Sequence, residues 1–581
     1  MEVGCARLFG LDAMRRMRIN WFGWVMAVAV VAAGCATRPK AHWAASPRNV
    51  VKVSSPAPPR TNSIAEPEAE ALAHFATAVS YEANTNHALA LSHFELAAQS
   101  DPGNEPLVIE LSRQYLASNQ PQKALDLLTR AAKHPNATPE VYGWLAEAYL
   151  KSGKTNQAIQ AGRHSMTTWP TALEGYRSLA AIYLQTSQPL ESLKVLNRAA
   201  KVQNVDAKFL IGLADFYAAW AQDHSDKKEQ VKGQAVALLD RATAMKTEPE
   251  LIQHVADTYN HFGETKKAAQ FYLQVLTKET EPSVQRDAVR EELANLYLQS
   301  DDRKGAYEQL QAIVRDNPTK YPQAWYELGV LSYEDKNLID AARNFEKALL
   351  LNTNLQRAYY NLALVQIDLG HNEDALKTLA TANGKFKNSF LDEFFAGIAH
   401  IHMKSYKEAV FHFTAAEVIA KVKDQARLTY DFYFQFGAAC ERNHDYKEAE
   451  RHFLKCIDQS PDSPEALNYL GFMWAEHGQN LEKARDLIER AVKKEPKNAA
   501  YVDSMGWVLF KLNQPKEALA WLLKAQELST EPDATLLDHL GDVYMALNQE
   551  DKAHEAWRKS LSLEANDDVQ KKLASGKKNG D

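Results

Sequence analysis

Four groups of residues in this chain are of types that could do chemistry, and in each the spacing decides what they are for. Gly153-Lys154-Thr155 has the residues that close a phosphate-cradling loop, in which backbone N–H groups and a lysine meet the phosphates. That loop needs a glycine five residues before Gly153, where Ala148 stands, and a preceding strand, so the tripeptide reads as a turn between helices. His400, His402 and His412 are zinc-ligand types, yet His400 and His402, two apart on one helix, point to nearly opposite sides. No metal is assigned. Asp223-His224-Ser225-Asp226 offers acid, base and nucleophile side by side, but sequence neighbours do not by themselves build a spaced triad, and the stretch reads as a solvated insertion. Cys440 and Cys456 occupy a large and a small apolar position of one repeating unit, which favours two buried thiols over a disulfide. The reading therefore assigns no catalytic residue, no cofactor and no small-molecule substrate.

The elements that hold these residues follow from one spacing. Leu470-Gly471, Met505-Gly506 and Leu540-Gly541 stand 35 residues apart, and each is followed by small residues at Ala484 and Ala491, Ala518 and Ala525, Ala553 and Ser560. A fixed period of this size marks a repeat array. Leu467, Leu470, Gly471 and Trp474 follow an i, i+3, i+4, i+7 pattern, and Ala484, Ile488 and Ala491 an i, i+4, i+7 pattern. These are two amphipathic helices, and Pro496 stops the second. A glycine of the first helix facing an alanine of the second lets the backbones approach. Gly471, Gly506 and Gly541 are thus expected to be helix-contact residues, Gly506→Leu to destabilise and Gly506→Ala to be nearly neutral.

This pattern resembles the tetratricopeptide repeat, with large apolar residues at fixed places, small ones where two helices touch, and a closing proline. Tyr433, Phe436, Gly437, Ala449, Phe453 and Pro461 fit it, as do Trp325, Leu328, Gly329, Ala341, Phe345 and Ala348. The resemblance implies an all-α solenoid, a right-handed superhelix of about fourteen antiparallel helix pairs over residues 69–565. The units begin near Ala69, Glu105, Pro139, Leu173, Ala207, Pro249, Asp287, Pro322, Gln356, Phe390, Tyr430, Pro464, Ala499 and Ala534. Extra polar residues around 222–233, 278–286 and 422–429 read as loops or extended helices. Residues 566–581 read as a capping turn and a frayed tail. The family's clamp for a terminal carboxylate is present here only in fragments, Arg357 with Asn361, and Asn468 alone.

In this family a second stripe on each first helix lines a concave groove. Its places hold rings in the middle and late units: Tyr326, Tyr333, Tyr360, Phe394, Phe434, Phe472, Trp507 and Phe510. They are expected to anchor a protein or peptide partner, the alternative being that they pack against the next repeat. In the first seven units the same places hold no aromatic and are often polar, as at Arg177, Asp215, Gln253, Asp257, Glu291 and Asn295.

At 581 residues, with 45% hydrophobic and 24% charged residues, the composition suits a long helical array. A formal net charge of -7 argues against a nucleic-acid partner, which would need a basic face. Four cysteines are too few for a disulfide framework. Residues 1–34 resemble a bacterial lipoprotein signal: Arg15, Arg16 and Arg18, an apolar run from Trp21 to Ala33, then Ala32-Ala33-Gly34-Cys35. The run is shorter than the ~20 residues that span a bilayer. Ala replaces the usual Leu of such signals, and Met14 or Met17 is a more typical start than Met1. The resemblance implies a lipid on Cys35, palmitate among its acyl chains, with residues 35–68, rich in proline and serine around Ser54 to Pro59, as a tether. An ordinary export signal or a short anchor helix is the alternative. Ala36, where Asp would retain an enteric lipoprotein in the inner membrane, favours the outer membrane and a periplasm-facing array. The resulting expectation is a non-catalytic, membrane-anchored scaffold of the bacterial envelope. A cytoplasmic co-chaperone or an accessory subunit of an envelope enzyme are the alternatives.

Overall fold

The computed structural model describes residues 66–246, 248–278, 283–387 and 389–575. Among these residues there are helices and turns and no strand. The helices from Glu66–Ala83 to Glu550–Leu563 form fourteen consecutive pairs, followed by one more helix, Asp567–Ser575. Residues 1–65 lie outside the described residues, and with them the expected signal, Cys35 and nearly all of the tether. The chain forms two compact units that meet in sequence at Asp316 and Asn317. Seven of the pairs lie in the first and seven, with the final helix, in the second.

Thirteen of the fourteen pairs turn back where at least one residue between their helices takes a left-handed backbone, the fifth turning through Ser225–Lys227 instead. Gly153 does so at φ +73°, between Pro139–Lys151 and Thr155–Thr168, and Gly370 at +79°. Glycine adopts this conformation without penalty. Gly153-Lys154-Thr155 is therefore the inter-helix turn that its context suggested. Several helices are started by proline in the first turn or by a side-chain cap, and Pro464–Glu476 has both, the Ser463 hydroxyl accepting from the Ala466 N–H.

The small residues sit where the two helices of a pair touch. Ala484, Ala491, Ala518, Ala525 and Ala553 are fully buried. A Cβ placed on Gly471 would lie 2.7 Å from Ile488 Cγ1 and 3.0 Å from the Ala484 carbonyl oxygen. One on Gly506 would lie 2.7 Å from Leu522 Cγ and Cδ2, with Leu522 itself fully buried. This corrects the expectation for Gly506→Ala: even a methyl group intrudes on the core leucine at that crossing.

Two of the insertions keep to helical geometry, and residues 279–282 of the third lie outside the described residues. Ser225–Lys227 and Gln425–Arg427 are single tight turns, and Tyr406–Lys423 is lengthened to 18 residues. Cys440 and Cys456 are buried free thiols, and burial pushes both up to about 12.

Candidate groove on the first helices of pairs nine to thirteen

In the second unit, the first helices of pairs nine to thirteen present one concave surface with a cavity of about 390 Å³. Its walls are apolar. Leu364 and Ile367 come from Gln356–Asp368, Phe394, Ile398 and Ile401 from Phe390–His402, and Phe434 and Ala438 from Tyr430–Arg442. Phe394, Ile398 and Ile401 line up because i, i+4 and i+7 share a helix face. Tyr469 and Tyr501 close the other end, and the polar lining includes Asp368, Arg442, Glu465 and Asn498.

Asn468 is the polar group that matters most. It is 5% exposed, and its Oδ1 is buried without a hydrogen-bond partner. An unpaired buried amide of this kind costs about 1 to 3 kcal/mol. The rest of the polar rim is engaged. Asp368 accepts from the Tyr333 hydroxyl at 2.7 Å, and the Arg442 guanidinium donates to the Tyr406 hydroxyl at 3.3 Å.

The eight rings expected in the groove divide. Phe394 and Phe434 line it, with most of each ring packed inward. Phe394 stacks on Phe390 at 5.5 Å, and Phe434 stands edge-on to Phe453 and Tyr469. Tyr326, Tyr333, Tyr360 and Trp507 do not line this cavity; at 3% to 8% exposed they are as buried as Phe394 and Phe434. Their polar atoms show why. Tyr326 accepts from Asn361 at 3.1 Å, Tyr333 donates to Asp368, and Trp507 donates to Glu476 at 2.7 Å. Each bond reaches the first helix of the neighbouring pair, so these rings fill the seam between successive pairs. Tyr360 holds the Gln356 amide at 2.8 Å within its own helix. Phe472 and Phe510 are half-buried outside the cavity, Phe510 stacked on Trp507.

Phe395, Gln435, Tyr469, Asn498 and Tyr501 also line the cavity and were missed. A concave helix face is wider than one row, and the residues beside each anchor were the available signal. Asn361, a fragment of the clamp, spends its amide on Tyr326.

The other candidate chemistry resolves into packing. His400 stacks on His412 at 5.2 Å, and His412 Nδ1 lies 2.7 Å from Glu393 Oε2. His402 faces the groove instead. Among the described residues no group of three His, Cys, Asp or Glu is placed to hold a metal ion. His224 stacks on Trp220 at 4.6 Å and donates from Nδ1 to its carbonyl at 2.9 Å. In the first unit the polar stripe is hydrogen-bonded in place. Asp215 accepts from Thr258 at 2.5 Å and Asp257 from Tyr272 at 2.6 Å, and burial raises both carboxyls above their ordinary range. Among the described residues no helix is long and apolar enough to cross a membrane.

Two models of the tetratricopeptide repeat match this chain, one at residues 82–143 and 115–161, the other at 291–354, 439–499 and 475–532. A TPR repeat-containing protein of Pseudomonas aeruginosa, PA4667, is 33% identical over 102 residues, 18% of this chain and 17% of that protein. Tetratricopeptide repeat protein 13 of Homo sapiens is 30% identical over 128 residues, 21% of this chain and 15% of that one. The chain thus spans less than a fifth of the length of either relative. A solved tetratricopeptide repeat protein from Parabacteroides merdae aligns with 44% of this chain and 98% of its own at 16% identity and a TM-score of 0.36. The helix pairs, the small-residue contacts within them and the repeat models that match at residues 82–161, 291–354 and 439–532 agree: the chain carries tetratricopeptide repeats.

Proposed function

We propose that the chain is a non-catalytic scaffold that binds an extended segment of another protein in the groove of pairs nine to thirteen. The observation that carries this reading is Asn468, whose buried Oδ1 has no hydrogen-bond partner in a mostly apolar wall. A peptide N–H offers the donor that this oxygen lacks, while an apolar side chain of the same segment fits between Phe394, Ile398 and Phe434. Because the ring edges and the amide are fixed before binding, little ordering opposes association. Panning random peptides on the purified protein tests it. Selected peptides should lose about ten-fold in affinity or more with Asn468→Leu, at unchanged or raised melting temperature. Selected peptides that bind the variant equally well would show that the groove is not the site.

In this reading the array is held at the bacterial envelope by a lipid on Cys35, facing the periplasm from the outer membrane. Three acyl chains on one cysteine exceed the two membrane signals that stable attachment requires. Cells fed a fatty-acid analogue should label the protein, and Cys35→Ser should abolish the label and leave the chain soluble or uncleaved. A serine variant that is still cleaved and still sediments with membranes ends this part of the proposal.

A further inference from the structure

The second helix of pair ten, Tyr406–Lys423, buries Ala409, Phe413, Ala416 and Ala420 and turns a different face outward. On that face Phe411 is 69% exposed, Val418 57% and Val422 81%. These residues stand at i, i+7 and i+11, so they form a single row along the helix, opposite the buried side. Exposed Lys404, Lys407, Lys421, Lys423 and Arg427 surround the row. Its exposed acids are Glu408 and Asp424, and Asp424 is paired with Arg427 at 3.1 Å. Glu417 is buried beneath the row, where Lys421 and Lys455 neutralise it at 3.0 and 2.9 Å. A locally cationic, apolar ridge thus stands on a chain whose net charge is -7.

We propose that this ridge rests on an anionic lipid surface, with Phe411, Val418 and Val422 entering the headgroup boundary and the lysines lying against the phosphates. Width and charge single out this occupant. One row of three side chains is far narrower than the ~800 Å² per partner of a stable protein interface. A few inserted apolar side chains flanked by cations are what an interfacial helix needs. A second copy docked ridge to ridge would oppose the same lysines to one another. The ridge shares only Lys404, in the turn before its helix, with the groove, which the first helices form.

The test uses the full chain bearing Cys35→Ser, so that no acyl group contributes. It is mixed with vesicles of phosphatidylglycerol and phosphatidylcholine, or of phosphatidylcholine alone, each with a photoactivatable acyl chain, and cross-linked peptides are identified by mass spectrometry. Adducts within Tyr406–Lys423 are expected in the phosphatidylglycerol vesicles. Together, F411S, V418S and V422S should reduce them about ten-fold or more, and Lys404→Gln or Lys407→Gln about five-fold each. Because the adducts are read on the helix itself, attachment through residues 1–34 does not imitate them. Adducts absent from Tyr406–Lys423, or equal in both kinds of vesicle, overturn the proposal. So does a dimer, seen by sedimentation without vesicles, that the triple serine variant dissolves. Should that variant melt early, the two lysine variants carry the test.

Discussion

Asp392 shows how much one side chain can set against the fold. It is buried in the first turn of Phe390–His402, and neither carboxyl oxygen has a hydrogen-bond partner. Burial, with Glu393 beside it, pushes the carboxyl up to about 7 from an ordinary 3.8. A carboxyl raised in the folded state costs nothing below its unfolded value and its full penalty above its folded one. Asp392→Asn should therefore stabilise the protein by about 2–4 kcal/mol above pH 7 and by little below pH 4, as denaturant titrations across that range would measure. His539 runs the other way. It is buried with Nδ1 2.9 Å from Asp503 and its ring 3.9 Å from Trp507. Burial alone would lower its value, but the carboxylates of Asp503, Glu476 and Asp538 together outweigh burial and the net shift is upward from 6.5. Its stabilisation is complete below pH 6.5 and fades as pH climbs through the raised folded value. The stability lost in His539→Gln, about 3 kcal/mol at low pH, should shrink in alkaline buffer. A loss independent of pH would mean that the imidazole matters for its shape alone.

At the scale of helices, the part of the fold legible in the sequence was the part that depends on one pair at a time. Gly471 opposite Ala484 is a contact inside a unit, and its 35-residue recurrence gave first helices at Pro322, Gln356, Phe390, Tyr430, Pro464, Ala499 and Ala534 where the structure has them. The concave stripe was legible only as a list of large residues. Whether Tyr326 faces a ligand or a seam depends on Asn361 in the next unit, and no pattern within one helix holds that information. The groove was found at Phe394 and Phe434 and missed at Tyr501 for the same reason. The last helix, Asp567–Ser575, is a clearer case of a local element with a distant job. Lys572 donates to Asp538 at 2.9 Å and to Asp542 at 2.7 Å, and Val569 packs with Trp557. It closes the end that a further repeat would otherwise cover. Ending the chain at Ala565 should leave Asp542 without its cation and speed hydrogen exchange through residues 534–563, with the first unit unaffected.

Across the whole molecule, stability in a repeat array sums from units and their neighbours. Gly506→Leu, which overfills the crossing at Leu522 at a cost of about 1–3 kcal/mol, should loosen pairs twelve to fourteen first and leave pairs one to seven protected from exchange. Gly506→Ala should show the same pattern more weakly. Uniform loosening along the chain would mean that the units melt as one body. The two thiols of pair eleven bear on the same question of where the array opens. A thiol held near 12 is almost wholly protonated at neutral pH, and shielded by its neighbours it meets neither oxidant nor alkylator while the pair is closed. Cys440 and Cys456 are therefore gauges: in dilute iodoacetamide, the slope at which each modified peptide accumulates reports the fraction of time that the middle of the second unit stands open, with or without a bound partner.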